Sequence, residues 1–329
     1  MNTFIEKEEA HAIIDRFGDA RLLVVGDLIM DHFIWGKVKR ISPEAPIPVV
    51  EVDSENLLLG GAANVAHNIS SLGGKVAVSG VVGKDSDGRK LVRELKKRRV
   101  GTEGVIVEEG RPTTIKTRII AHSQQVVRFD RERGGGIEET VTGAAYDYLE
   151  GAVDEVDVVV ISDYAKGFLT RELVRKVIAL ANKRGKPVVV DPKVNHIGHY
   201  KGAAIMTPNN NEASQASGTE IVDEASLLKA GRSLLRSSGC GAVLITRGEH
   251  GMSLFEKGKK VCHIPTVARE VYDVSGAGDT VVANLALALA AGAGFRAAAA
   301  LANYAAGIVV SKVGTAVVSG DELRRVIDE

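Results

Sequence analysis

The chain has 329 residues, with 42 Lys+Arg against 42 Asp+Glu, and so carries no formal net charge. A neutral chain lacks the positive field of a general nucleic-acid binder, and at 45% hydrophobic and 26% charged it is neither disordered nor fibrous. The length suits two domain-sized units or one large α/β domain.

The opening segment, MNTFIEKEEAHAIIDRF, is acidic and amphipathic, unlike a secretory signal. Short runs rich in β-branched residues then recur at 21–26, 76–82, 156–162, 187–191, 203–207 and 242–246. They alternate with helical patterns, among them 62–72, 86–100, 170–184 and 225–238. Continuous apolar strands between helices predict an α/β fold, with a central, mostly parallel sheet covered by helices on both faces. The basic run Lys96-Lys97-Arg98-Arg99 closes one helix, where cations suit the macrodipole, and reads as a solvated helix end. Two segments, 32–59 and 112–132, break the rhythm. In the second, polar and apolar residues alternate with period two, which predicts half-exposed antiparallel strands. Together they read as a small β-sheet inserted twice into a single domain spanning 1–329, a lid or a dimer surface.

From Tyr272 onward the chain turns helical and alanine-rich, at 277–291, 296–312 and 320–328. The longest uncharged apolar stretch, 285–295, falls short of the ~20 residues that span a bilayer, so no membrane partner is expected. Cys240 and Cys262 are isolated and read as small hydrophobes of a reducing, cytoplasmic compartment.

Five clusters carry chemistry. Asp273-Val-Ser-Gly-Ala-Gly-Asp-Thr280 leads into an apolar helix, and Gly276, Ala277 and Gly278 place backbone amides where an anion could sit at a helix start. Asp279 beside such a cradle either takes a proton from an attacking hydroxyl or caps the helix. In Thr207-Pro-Asn-Asn-Asn-Glu212, Asn209 and Glu212 either share the hydration of Mg²⁺ on nucleotide phosphates or form a capping box. Gly60 and Gly61 before a helix allow close approach to a ligand, and Asn64 is placed to hold hydroxyls. Asp31 follows the end of the first strand, where open α/β sheets bind ligands. Ser162-Asp-Tyr-Ala-Lys-Gly167 and Asp191-Pro-Lys193 repeat that placement. His67 and His122 lie nearby and read as peripheral.

In this order the clusters are similar to the ribokinase-like (PfkB) carbohydrate kinases. Gly60-Gly61 with Asn64 resembles the family's first signature, DVSGAGDT (273–280) its second, and Asn209-x-x-Glu212 its Mg²⁺/phosphate motif. RISPEAPIPVV (40–50), GGAANVAHNI (60–69), QQVVRFD (124–130), SDYAKG (162–167) and EVYDVSGAGDT (270–280) resemble the branch acting on D-glycero-β-D-manno-heptose 7-phosphate. That resemblance implies transfer of the ATP γ-phosphoryl group to O1, giving the 1,7-bisphosphate for lipopolysaccharide-core precursors. It implies Asp279 as base, the amides of 276–279 as anion hole, and Asn209 and Glu212 at Mg·ATP. Asp31, Gly60, Gly61 and Asn64 would hold the sugar. Thr246, Gly248 and Gly251 resemble the nucleotide turn, Asn303 falls beside adenine, and Lys193 is a phosphate-side candidate. A monovalent cation near Asp273 and Ser275 and a homodimer through the lid are further family expectations.

A doubly anionic 7-phosphate needs cations. Lys116, Arg118 and Arg128 fall on one face of the lid, with Lys166 on the main domain; the other reading is ordinary surface charge. No nucleotidyl-transfer element accompanies the kinase pattern, so kinase activity alone is expected. The alternatives are another sugar kinase of this family and a non-catalytic sugar or nucleotide sensor.

Overall fold

The computed structural model describes residues 4–122, 124–268, 271–312 and 316–329. Ser123, inside the second lid segment, and Glu270, which opens the last resembling run, lie outside the described residues. The strands in chain order are β1 (Arg21–Gly26), β2 (Leu28–Ile41), β3 (Pro48–Gly61), β4 (Lys75–Gly83), β5 (Gly101–Glu108), β6 (Thr114–Ala121) and β7 (Gln124–Arg131). They continue as β8 (Val158–Ser162), β9 (Val188–Asp191), β10 (Ile205–Met206), β11 (Ala242–Thr246), β12 (Met252–Glu256) and β13 (Cys262–Ile264). The helices are α1 (Lys7–Asp15), α2 (Ala62–Ser71), α3 (Ser86–Lys97), α4 (Glu139–Ala152), α5 (Arg171–Lys183), α6 (Asn210–Ser217), α7 (Glu224–Ser238), α8 (Ala277–Ala290), α9 (Phe295–Val310) and α10 (Gly320–Asp328).

Nine strands form the main sheet in the order β13-β12-β11-β10-β9-β8-β1-β4-β5. From β11 to β5 neighbours run parallel, while β12 and β13 add an antiparallel edge. The sheet is buried on both faces because successive strand side chains point to opposite sides. Leu22 and Val24 join a core with α2, α8 and α9, whereas Leu23 and Val25 join a second core with α5 and α7. Strands β5, β12 and β13 are absent from the sequence reading. They are edge or near-edge strands whose polar residues dilute the apolar run. Of the strand expected at 203–207, Ile205–Met206 pairs.

A second, four-stranded sheet has the order β3-β2-β6-β7. The segments expected to form a lid are therefore a separate sheet, here called the lid sheet, but it is not wholly antiparallel: β2 and β6 pair in parallel, from Ile29↔Thr114 to Gly36↔Ala121. The reason is topological. Both β1 and β5 deliver the chain at the same end of the parallel sheet, so β2 and β6 leave in the same direction. Strand β2 begins at Leu28, earlier than the expected 32, with only Asp27 between it and β1.

Candidate active site

The site gathers at the C-terminal ends of β1, β8 and β9, below the lid. Strand β1 lies between β4 on one side and β8 on the other, the point where chain order reverses and open sheets form a crevice. Asp279 stands in the first turn of α8 and is only 6% exposed. It does not cap that helix. Its Oδ2 accepts from Asn64 Nδ2 (2.7 Å) and its Oδ1 from the Tyr164 hydroxyl (2.7 Å). Burial raises its pKa to about 6, with Asp31 adding to the rise; Asn64, Tyr164 and Lys116 oppose it. A carboxyl poised there can accept a proton near neutral pH.

Asn64 reaches Asp279 because α2 packs on α8 along a short polar seam. Asn68, one turn on, lies 3.0 Å from the Thr280 hydroxyl and donates to the Asn64 carbonyl (3.0 Å). One N–H of the Asn64 amide, expected to face a sugar, thus serves Asp279. The helix-start amides also differ from expectation. Gly276 adopts φ 80°, as a glycine can, but the Ala277 N–H turns back to Val274 O (3.2 Å), leaving the row expected to face an anion.

Gly60 and Gly61 have reasons internal to the protein. A Cβ on Gly60 would stand 2.2 Å from Asp31 Oδ2, and one on Gly61, at φ 56°, would stand 2.6 Å from Asp27 O. The glycines make room for Asp31 and for the bend into α2. Asp31 is buried on β2, with Arg118 Nη1 donating to its Oδ1 (2.5 Å).

Strand register puts Asp31 opposite Lys116, Lys116 opposite Asp130, and Arg118 opposite Arg128, so these residues share one face. Three of the four expected phosphate-binding cations are already paired: Arg118 with Asp31, Arg128 with both oxygens of Asp130, and Lys166 with Glu132 (2.6 Å). Lys116 forms no ion pair among the described residues and lies over the Tyr164 ring, 4.7 Å from its centre. Burial and the positive charges of Lys166, Arg128 and Arg118 lower its pKa, against the pull of Asp31.

On the other side of α8's first turn lies a cleft of about 840 Å³. Asn209, Thr246, Gly248, Gly251, Ala277, Gly278 and Asn303 line it, together with Val271, Val274, Val281, Ala306, Gly307 and Val310. Gly251 permits close chain crossing, since a Cβ there would stand 2.1 Å from Ile264 O. Asn303 donates to Pro265 O (2.8 Å), so part of its amide is used internally.

Two expected phosphate-side residues are not among those lining the cleft. Glu212 is folded into a capping box: its Oε2 accepts from Asn209 N–H and Asn209 Oδ1 accepts from Glu212 N–H, each at 2.9 Å. Lys193 stands near Glu212 and Asp191, lowering the pKa of both carboxyls, while its backbone N–H donates to Tyr200 (2.9 Å). Burial still holds Glu212 above its usual value, and burial with the nearby charges of Asp279 and Glu212 does the same to Asp191. No group of three or more His, Cys, Asp or Glu that could hold a metal occurs among the described residues.

His67 and His122 sit outside both regions. His67 accepts from Arg98 (3.2 Å), and burial beside that cation lowers its pKa to about 4; His122 meets Val38. The strand-end clusters of the sequence contain Asp27, Asp163, Tyr164 and Asp191, but sequence reasoning gave none of them a role of its own. Their common signal is a polar residue at or just after the end of an apolar strand.

The model of the pfkB family carbohydrate kinases matches residues 19–320. The chain is 48% identical over 321 residues to the bifunctional protein HldE of Desulfatibacillum aliphaticivorans, covering 97% of this chain and 66% of that protein. To the protein of the same name from Geobacter sulfurreducens it is 47% identical over 319 residues, covering 97% and 65%. The chain thus spans just under two thirds of the length of the curated relatives it matches. Among solved structures, Arabidopsis thaliana ribokinase complexed with ribose and ATP superposes with a TM-score of 0.76 at 20% identity, covering 94% of this chain and 99% of that one. Escherichia coli phosphofructokinase-2 in complex with potassium gives 0.76 and 20%, covering 94% and 98%. The chain belongs to the pfkB family of carbohydrate kinases, and it is a sugar kinase on a ribokinase-like fold.

Proposed function

We propose that the chain transfers the γ-phosphoryl group of ATP to O1 of D-glycero-β-D-manno-heptose 7-phosphate. The observation that carries this reading is the first turn of α8. Ala277 and Gly278 line the nucleotide-sized cleft, and the next residue, Asp279, faces the cation-bearing side of the lid. One turn therefore separates donor from acceptor, as in-line transfer requires. Asp279 takes the O1 proton as the O1–P bond forms and the bond from the γ-phosphorus to the bridging β-oxygen breaks, releasing ADP. The Gly276, Gly278 and Asp279 amides and the positive end of α8 stabilise charge on the moving group. Asp31 accepts from sugar hydroxyls. Lys116 meets the 7-phosphate, with Arg118, Arg128 and Lys166 re-pairing from their carboxylates.

Glu212 and Asp191, two neighbouring carboxyls raised in pKa, would hold a hydrated Mg²⁺ beside the nucleotide phosphates. When bound, the ion neutralises charge on the β- and γ-phosphates. Asn209, Thr246, Gly248, Gly251 and Asn303 are assigned to ATP, and Lys193 to the Glu212 side of the phosphates. We assign a monovalent cation to the turn where Ser275 N–H donates to Asp273 Oδ1 (2.8 Å). Phe129, Val127 and Leu57 crowd the lid face turned away from the site, Phe129 52% exposed, which supports a homodimer through the lid. No helix among the described residues is long and apolar enough to cross a membrane.

The test is ADP formation with heptose 7-phosphate, unphosphorylated heptose and fructose 6-phosphate in competition. Heptose 7-phosphate is expected to give the highest kcat/KM. Preference for the unphosphorylated sugar removes the phosphate site, and preference for fructose 6-phosphate assigns the chain to another sugar-phosphate reaction.

A further inference from the structure

We propose that Tyr164 is a positioning residue for Asp279, its hydroxyl fixing one carboxylate oxygen while its ring is clamped beneath Lys116 of the lid. The inference rests on the reading of Asp279 as proton acceptor. Three observations carry it. First, the Tyr164 hydroxyl is 2.7 Å from Asp279 Oδ1, and Asn64 holds the other oxygen at the same distance, so the carboxylate is gripped from two elements. Second, the loop that bears Tyr164 is pinned at its backbone. Asp27 accepts from the N–H groups of Tyr164 (2.9 Å), Lys166 (3.1 Å) and Phe168 (3.3 Å), and Asp163 accepts from Ala165 N–H (2.8 Å). Ala165, the next residue, is held at φ 53°, a conformation that a non-glycine residue adopts at a cost and that surrounding contacts must enforce. Third, Lys116 lies 4.7 Å above the ring, closing the direction in which it could swing.

A carboxylate with two firm donors keeps a fixed orientation and retains lone pairs for an incoming hydroxyl. The same donors favour its ionised form. The groups facing Asp279 are Asn64 on α2, Tyr164 after β8, Asp31 on β2, Lys116 on β6 and Asp191 on β9. Of these, Tyr164 and Asn64 donate directly. Tyr164 itself stays protonated, because burial and the Asp279 charge push its pKa well above the usual range.

The test follows the Asp279 carboxyl itself. In the 329-residue chain labelled with [γ-13C]aspartate, the resonance missing from Asp279→Asn should titrate near 6. In Tyr164→Phe, where the ring stays and the donor goes, the midpoint should rise by roughly one pH unit, the scale of one hydrogen bond to a charged group. Replacing all six tyrosines by 3-fluorotyrosine leaves the fold's hydroxyls in place and makes each a stronger donor, so the midpoint should fall instead. An unmoved midpoint in folded Tyr164→Phe overturns the proposal. Should that variant not fold, an unmoved midpoint in the fluorotyrosine protein overturns it equally. Turnover by Asp279→Asn is measured separately. Near-normal turnover there removes the proton-acceptor reading and the Tyr164 role with it, whereas an inactive Asp279→Asn with an unmoved Tyr164→Phe midpoint removes the Tyr164 role alone.

Discussion

The two sides of α8's first turn are built in opposite ways. The pocket around Asp279 is made of ionisable and amide side chains, each with a partner: Asn64, Tyr164, Asp31 with Arg118, and Lys116 on the tyrosine ring. The cleft beyond Gly278 has two kinds of wall: an apolar one with Val274, Val281, Ala306 and Val310, and a polar one with Asn209, Thr246, Arg247 and Asn303. A tightly bonded polar pocket suits control of a proton. A cleft with an apolar wall suits a flat ligand held through area. Changes in the first should therefore act on turnover or on recognition of charge, and changes in the second should act on affinity.

Asp279→Asn is the strongest test of that division. Turnover should fall about 10²- to 10⁴-fold while nucleotide binding stays near normal, the range of a lost general base; single-turnover ADP formation alongside calorimetric ATP binding reads both. Lys116→Met comes next. Loss of one charge-assisted contact should raise KM for the phosphorylated sugar on the order of ten- to a hundredfold, with little change for an unphosphorylated one; equal effects on both would erase the phosphate assignment. Asp279→Asn should also stabilise the fold. A buried carboxyl titrating near 6 rather than 3.8 is penalised when ionised, so the penalty is present above pH 6 and gone below 3.8. The gain should be about 3 kcal/mol at pH 8 and vanish at pH 3.5, as read by denaturant melts. The smallest effect belongs to the cleft. Val274 is 68% exposed, so Val274→Ala should leave stability and kcat alone and raise KM for ATP roughly fivefold through lost apolar contact. A fall in kcat would break the division.

The same contrast decides how much was legible beforehand. Strands with two covered faces announce themselves as unbroken apolar runs, and β1 and β11 fall at the expected residues 21–26 and 242–246. The edge strands β5, β12 and β13 are half-covered and blend with loops. Asp279 stands out as a carboxyl among glycines that could cradle an anion at a helix start, and Asn209 with Glu212 by the three-residue spacing of a capping box. What they touch is another matter. The capping box of Asn209 and Glu212 is one of the two readings their spacing allows, but Asn64 bonds Asp279 and Gly60 makes room for Asp31, and contacts between residues far apart in sequence leave no local trace. Tyr164 could have been any turn aromatic until β8 and α8 brought it to Asp279. The cleft's valines and alanines carry no signal at all, since an apolar residue lining a ligand site and one filling a core have the same pattern.

Two of the three irregularities of the lid sheet lie at one level, and the third lies farther out. β2 slips against β3 at Trp35/Gly36 and again at Val38/Arg40, and β6 slips against β7 at Ile119/Ile120, opposite Ile34 and Trp35. Such breaks concentrate twist and bending in a sheet. Asp31, Lys116 and Arg118 all lie on the near side of that line, on strands that follow main-sheet strands after one residue (β2) or five (β6). The extra twist is therefore taken up toward the outer arm, which carries Ile41 and Ile47, while the inner arm keeps Asp31, Lys116 and Arg118 in unbroken register across β2 and β6, on the side of Asp279.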